Sequence, residues 1–352
     1  MAVVMDGVKK NIIDRTIPNL VKKFQNFNND DIAYFLKLLH ETGIDLFEIN
    51  RDSMDKIKKF PLNLDYIYRI ENIEDYNYLN NYNFKYIILN YKTIYRFLLE
   101  DEKIQKNLKE HNIILEIDIE DLDELYLSED NKIFCIFNIV CLRINNLSKL
   151  DFIDEDFRIK DLKSKFNVLV DFCASNKYYM ATAIIINAFL NGSDIITTEF
   201  NSNDYAAMEE VIIALKSIRN IEIRGDLKLI SKLTRIYEKI TSERVYSMKP
   251  ILGEDIFKYE SGIHADGIAK NPKNYEPFNP ELIGTNRKLY IGKHSGKAAL
   301  VVKFKELNLN CNNIDMNLFL QDIREKSIQE KRNVLDNEII EMYKEYNKSY
   351  QR

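Results

Sequence analysis

Four histidines and four cysteines are the side chains of this 352-residue chain best suited to moving protons or holding a metal. His264 lies within Ser261-Gly262-Ile263-His264-Ala265-Asp266-Gly267, and His294 within Gly292-Lys293-His294-Ser295-Gly296. An imidazole titrates near neutrality, so His264 could carry a proton to or from a carbon acid or its oxygen. A lone histidine can equally serve as a hydrogen-bonding residue in a turn. The second stretch precedes a helix and has two readings: Ser295 caps that helix, or the exposed amides hold an anion. Capping is preferred, because a capped helix start is common. His40 and His111 fall in helical or loop segments. Cys135, Cys141, Cys173 and Cys311 form no C-x-x-C pair. A chain of this size needs no covalent staple, so reduced thiols are expected. Cys173 and Ser175 follow an apolar run. Cys173 with Asp204 would make only a two-donor site, fewer than a divalent metal requires, so a structural role is expected for both.

The elements that must position these residues change character along the chain. Short apolar runs at residues 11–14, 46–49, 66–70, 86–89, 113–117, 133–137, 168–172 and 195–198 alternate with helix-length segments. Such alternation predicts βα units and a parallel sheet, and eight runs over this length match a (β/α)8 barrel. Residues 29–42 read as its first helix, with Ile32, Phe35, Leu36 and Leu39 at helical spacing and Gly43 at the helix end. Residues 206–216 read as another helix. The stretch 51–165 is rich in Tyr, Asn and Asp, and its strands are weakly marked. Four of the six prolines fall between Pro250 and Pro280, and six of the ten glycines between Gly253 and Gly296, which marks a connector. Helices are expected at 297–307, 315–331 and 336–346. The expected domains are therefore a barrel over 1–250, a linker over 251–296 and a helical subdomain over 297–352.

Composition narrows the function classes. Apolar residues at 45% allow a sizeable core, and a net charge of −5 without a basic block gives no electrostatic reason to expect nucleic acid. The longest apolar runs fall short of a membrane span. The first residues lack the layout of a signal peptide, so a cytoplasmic protein is expected.

Residues 259–300, YESGIHADGIAKNPKNYEPFNPELIGTNRKLYIGKHSGKAAL, resemble the linker of the homocitrate synthase and isopropylmalate synthase family, above all its nitrogen-fixation type. Three blocks carry the resemblance. They are S-G-I-H-x-D-G at 261–267, Y-E-x-F-x-P-E-x-x-G at 275–284 and L/I-G-K-H-S-G at 291–296. Residues 321–340 resemble the family's closing helices. Tyr259 departs from a histidine common at that position. The resemblance implies an acetyl-CoA condensation with a 2-oxo acid, 2-oxoglutarate for homocitrate synthase, on a barrel that holds a divalent metal. It also implies a domain-swapped assembly in which the linker histidine, here His264, reaches the active site of another chain.

In the barrel the resemblance holds for the frame and fails at the ligands. The family's first strand reads D-T-T-L-R-D-G-E-Q, whereas this chain reads Asp14-Arg15-Thr16-Ile17-Pro18-Asn19. The family's arginine position holds Pro18, and its metal-binding aspartate position holds Asn19. The ligand motif H-x-H-N-D becomes Cys173-Ala174-Ser175-Asn176-Lys177. The loop G-x-G-E-R-x-G-N is shortened, with Tyr205 near the position of its asparagine. The resemblance therefore implies a degenerate TIM-type (β/α)8 barrel of the pyruvate carboxyltransferase kind. This chain is expected to bind no metal; magnesium or manganese is expected on a partner barrel. His264 is expected to act on acetyl-CoA and 2-oxoglutarate at the shared site, as the omega chain of a split homocitrate synthase would. A stand-alone acyltransferase with an altered site, and a non-enzymatic regulatory or scaffold protein, remain open alternatives.

Overall fold

The computed structural model describes residues 3–5, 7–80, 82–98, 102–127, 132–148 and 156–350; the last two residues of the expected helical subdomain, 351–352, lie outside these. Two compact units are present. One comprises Met1–Val245 with Pro250–Leu252, and the other Tyr246–Lys249 with Gly253–Arg352.

In the first unit a short strand β1 (Val3–Met5) leads into β2 (Val8–Asp14). There follow β3 (Leu46–Ile49), β4 (Asp65–Arg69), β5 (Tyr86–Asn90), β6 (Ile113–Asp118), β7 (Ile139–Leu147), β8 (Leu169–Ala174) and β9 (Ile195–Thr198). Each of β2 to β9 pairs in parallel with the next, and β9 returns to β2 with Asn11 opposite Ile195 and Asp14 opposite Thr198. The sheet thus closes into an eight-stranded barrel, as the alternation predicts. Outside it, β1 pairs antiparallel with both β2 and β10 (Glu222–Ile223).

The helix expected first, at 29–42, comes second, after Thr16–Lys23, and spans Asn29–Glu41. Asn28 caps it by accepting from the Asp30 amide, and Asp30 and Asp31 sit in the first turn. Ile32, Phe35, Leu36 and Leu39 are buried, and Gly43 then takes a left-handed φ of +113°. The helix expected at 206–216 spans Met208–Ser217.

One expected strand is wrong. Residues 133–137 belong not to a strand but to the helix Lys132–Ile136 and its end, and the sixth barrel strand is Ile139–Leu147. Ile133 and Phe137 are buried four residues apart, which is helical spacing. The true strand was hidden because Arg143 and the polar Asn145 and Asn146 interrupt its apolar run.

Side chains two apart on a strand share a face, and this sets the barrel interior in layers. Ile13, Leu46, Ile67, Ile88, Ile114, Cys141 and Ile195 form one apolar cluster. Two residues further along the same strands come Arg15, Glu48, Arg69, Asn90, Glu116, Arg143 and Thr197. An apolar floor therefore carries a polar and charged layer towards the C-terminal ends of the strands.

In the second unit, Lys258–Tyr259 pairs in parallel with Lys288–Leu289. Helices Lys297–Glu306, Met316–Glu330 and Asp336–Tyr350 surround a core built on Leu300, Phe304, Phe319, Ile323 and Ile339. Asp315 caps the second of these helices by accepting from the Asn317 and Leu318 amides.

Candidate functional site

The charged layer inside the barrel is a closed ion network. Arg69 donates from Nε to Glu48 at 2.8 Å, and from both terminal nitrogens to Glu116 at 2.7 Å. Arg143, fully buried, donates to Asp171 and to Glu48, each at 2.6 Å. The Thr197 hydroxyl donates to Asp171 at 2.9 Å. Burial by itself would raise the Glu48 carboxyl, but Arg69, Arg143 and Arg15 together hold it well below the usual carboxylate range. Burial raises the Asp171 carboxyl, and Arg143 and Thr197 offset only part of that rise.

Above this network stand the residues at the family's ligand positions. The structure gives each of them a partner other than a metal. The Arg15 guanidinium donates from Nη1 to the Cys173 sulfur at 3.1 Å and lies 4.0 Å from the centre of the Tyr205 ring. Ser175 and Tyr205 face each other in an isolated antiparallel bridge. Asn19 donates from Nδ2 to Glu199 at 2.9 Å, and Ser202 donates to the other oxygen of Glu199 at 2.9 Å. Pro18 lies buried in the helix Thr16–Lys23. Burial raises the Cys173 thiol, against the opposing effect of Arg15. Burial also pushes the Asp14 carboxyl up to about 7, although the hydroxyl and amide of Thr16 donate to it.

This donor set does not fit a divalent cation. Zinc needs three or four thiolate, imidazole or carboxylate donors at about 2.0–2.3 Å, and magnesium at least one or two carboxylates at about 2.0–2.1 Å beside its waters. Here the positions supply a buried thiol already held by a cation, a hydroxyl, an amide and a phenol. Among the described residues no three His, Cys, Asp or Glu side chains are grouped so as to hold a metal ion. Of the remaining histidines, His40 bonds the Ile44 carbonyl through Nδ1 at 2.9 Å, and burial lowers the His111 imidazole.

The second unit leaves its histidine open. Ser261 caps the helix Gly262–Lys270 by accepting from the Ile263 amide at 3.2 Å, and His264 projects exposed from the first turn. Its ring meets Tyr275 edge to face, with centroids 5.5 Å apart. A Cβ at Gly267 would lie 2.3 Å from the Tyr275 hydroxyl, so this glycine makes room for the ring beside His264. A cavity of about 170 Å³ opens here, lined by His264, Tyr275, Tyr259, Phe257, Lys258 and Ile268 among others.

The GKHSG stretch corrects the capping expectation. Gly296, not Ser295, is the N-cap of Lys297–Glu306, and no side chain caps it. The Ser295 hydroxyl is buried, accepts from the Gly292 amide at 3.0 Å and donates to the Glu260 carbonyl at 3.1 Å. The His294 amide donates to the Glu260 carboxylate at 2.7 Å, so the anion at this turn is the chain's own. Arg324 donates to the Ser295 carbonyl at 2.6 Å. The turn thereby ties the residue just before Ser261 to the helix Met316–Glu330.

Sequence reasoning passed over Arg15 and the interior charges. Their signal was present: LFEI, IILEID, IVCLRINNL and LVDFCA each embed one or more charges in an apolar strand. Such charges mark the face that looks into a barrel.

Residues 251–331 match the family model described as "Homocitrate synthase post-HMGL domain-like". Over 191 residues the chain is 32% identical to 2-isopropylmalate synthase 2 of Caldanaerobacter subterraneus subsp. tengcongensis, covering 53% of this chain and 50% of that protein. It is 32% identical over 197 residues to homocitrate synthase 1 of Nostoc sp., covering 55% and 52%. Over 246 residues it is 29% identical to (R)-citramalate synthase of Methanocaldococcus jannaschii, covering 64% and 49%. The chain thus spans about half the length of the curated relatives it matches. Among solved structures it is similar to an HMG-CoA lyase of Bacillus subtilis, with TM-score 0.51 and 12% identity, covering 67% of this chain and 95% of that one. It is likewise similar to an HMG-CoA lyase of Acinetobacter baumannii, with TM-score 0.52 and 9% identity, covering 67% and 92%. At these identities the likeness concerns the barrel fold alone.

Proposed function

We propose that this chain is the non-metal subunit of a heteromeric homocitrate synthase, an acyltransferase, and that it lends His264 to the active site of a metal-bearing partner barrel. The observation that carries the reading is the contrast within one polypeptide. The ligand positions of its barrel are tied to other groups, while the histidine of its linker block is exposed beside Tyr275. The match of residues 251–331 to the homocitrate synthase post-HMGL domain supports the linker's part in that reading.

The reaction joins the methyl carbon of acetyl-CoA to the keto carbon of 2-oxoglutarate. The methyl group loses a proton, the keto oxygen gains one, and water cleaves the thioester to release homocitrate and CoA. An imidazole suits the proton movements, because it exchanges protons near neutral pH without a large energetic cost. The magnesium or manganese of the synthase belongs to the partner chain in this reading, and homocitrate serves assembly of the nitrogenase iron–molybdenum cofactor in the cytoplasm. No helix among the described residues is long and apolar enough to cross a membrane.

The test is a reconstitution. CoA release is followed with the chain alone, with a metal-bearing homocitrate synthase barrel alone, and with both. Turnover is expected only in the mixture, and His264→Ala should lower it by about 100-fold or more, the range for loss of a general acid or base. Turnover by the chain alone with magnesium or manganese, or a mixture indifferent to His264→Ala, overturns the proposal.

A further inference from the structure

Arg15 stands where the family's first strand has a threonine, and it sits at the mouth of a barrel whose ligand positions have all changed. Its guanidinium reaches Cys173, 158 residues away in sequence, and covers the face of Tyr205. These are two of the four ligand positions, and Ser175 is bridged to Tyr205. Arg15 is therefore placed among the side chains that would have converged on an ion.

Its partners are unusual for an arginine so placed. Arg69 binds two carboxylates and Arg143 three, whereas Arg15 meets a thiol and an aromatic ring, and among the described residues it has no ion-pair partner. Its Nε is buried without a hydrogen-bond acceptor. A guanidinium tolerates this company because it stays charged at any ordinary pH and is stabilised by the face of a ring. A divalent cation would not tolerate it, because it needs anionic or imidazole donors at close range. Glu48 shares the barrel layer with Arg15 and feels its charge together with those of Arg69 and Arg143.

We infer that Arg15 has taken the place of the divalent cation: the barrel carries its positive charge covalently, on the residue that follows β2. The change then has two coupled halves. Loss of the ligands removed the attraction for a metal, and the guanidinium now fills the volume and supplies positive charge at the mouth. Restoring ligands is not enough to restore a metal, because a cation already occupies the place and repels a second one. The inference rests on the family register of the barrel used in the proposed function. It does not depend on a partner chain or on turnover, so it can fail while that function stands, and the reverse.

Two measurements on the full chain test it. The first is manganese binding by titration calorimetry to Asn19→Asp/Cys173→His/Ser175→His, with Arg15 retained and with Arg15→Thr added. Binding is expected to be about 100-fold tighter once Arg15 is removed. Equal affinity with and without Arg15, or no binding by either folded variant, overturns the inference. The second guards against poor folding of the multiple variant. Urea unfolding of both variants is followed with and without manganese: a cooperative transition shows that each is folded, and manganese should raise the midpoint markedly only where Arg15 is replaced. Cooperative transitions whose midpoints manganese raises equally in both variants, or in neither, overturn the inference as well.

Discussion

In the barrel unit the polar side chains at the strand ends are spent on one another. Arg69, Arg143, Glu48, Glu116 and Asp171 form one network, Asn19 and Ser202 share Glu199, and Arg15 holds Cys173. In the linker unit the backbone is tied just as firmly, through Glu260, Ser295 and Arg324, yet the His264 ring is left exposed. The difference teaches that polar groups within one chain can be wholly committed to one another in one unit and left open to solvent in the next. A buried charge must find a partner or the barrel is destabilised, so the barrel interior is driven to satisfy its own charges. An exposed imidazole faces no such demand, because water serves it.

Beyond the loss of turnover expected for His264→Ala, three changes would sharpen or break this contrast. The largest effect on stability is expected for Arg143→Met, which strands Glu48 and Asp171 in the interior. Removing one partner of a buried ion pair costs about 3–5 kcal/mol. The lower end is expected here, because Arg69 still serves Glu48 and Asp171 can take up a proton. Urea unfolding measures it; a loss below about 1 kcal/mol would show that the network is not what holds the barrel interior.

Next comes the pH dependence set by Asp14. Its folded carboxyl lies near 7 against an ordinary 3.8, so between those values the folded state binds more protons than the unfolded chain. Stability contributed by protonated Asp14 is present at low pH and is lost as pH rises from about 4 to 7, by about 1.4 kcal/mol per unit at the steepest. Asp14→Asn should flatten that slope. The check is a series of unfolding curves across the window, and a slope that survives the substitution assigns it elsewhere.

The smallest effect is expected for Gly267→Ala, on the other side of the comparison. Alanine favours the helix by about 1 kcal/mol, and the displaced Tyr275 ring offsets that gain, so the unfolding free energy should move by less than about 1 kcal/mol. The proton resonances of the His264 ring should nevertheless shift as Tyr275 swings away. Unmoved resonances would separate the two rings in solution and remove Gly267 from any part in placing the histidine.

Much of the architecture was legible from the chain. Seven of the eight barrel strands, the helix Asn29–Glu41 with its Gly43 end, and the three closing helices follow from periodicity and turn residues. The sixth strand was not, since Arg143 breaks its apolar run, and a charge inside a strand reads as solvent-facing until the strand is known to line a barrel. Ser295 was misassigned for a related reason. Its position two residues before a helix suggested a cap, while its true partners, the Gly292 amide and the Glu260 carbonyl, depend on how the turn folds back.

The sequence by itself determined the βα alternation, the linker block around His264 and which residue types stand at Asn19, Cys173, Ser175 and Tyr205. Only the tertiary structure decided what those four positions do instead. Strand periodicity tells which face a side chain takes, but the partner on that face comes from strands far away in the chain. Arg15 meets Cys173 across 158 positions and Arg143 meets Glu48 across 95. Pairings at such separations are fixed by closure of the barrel, which brings together charges that nothing local in the sequence connects.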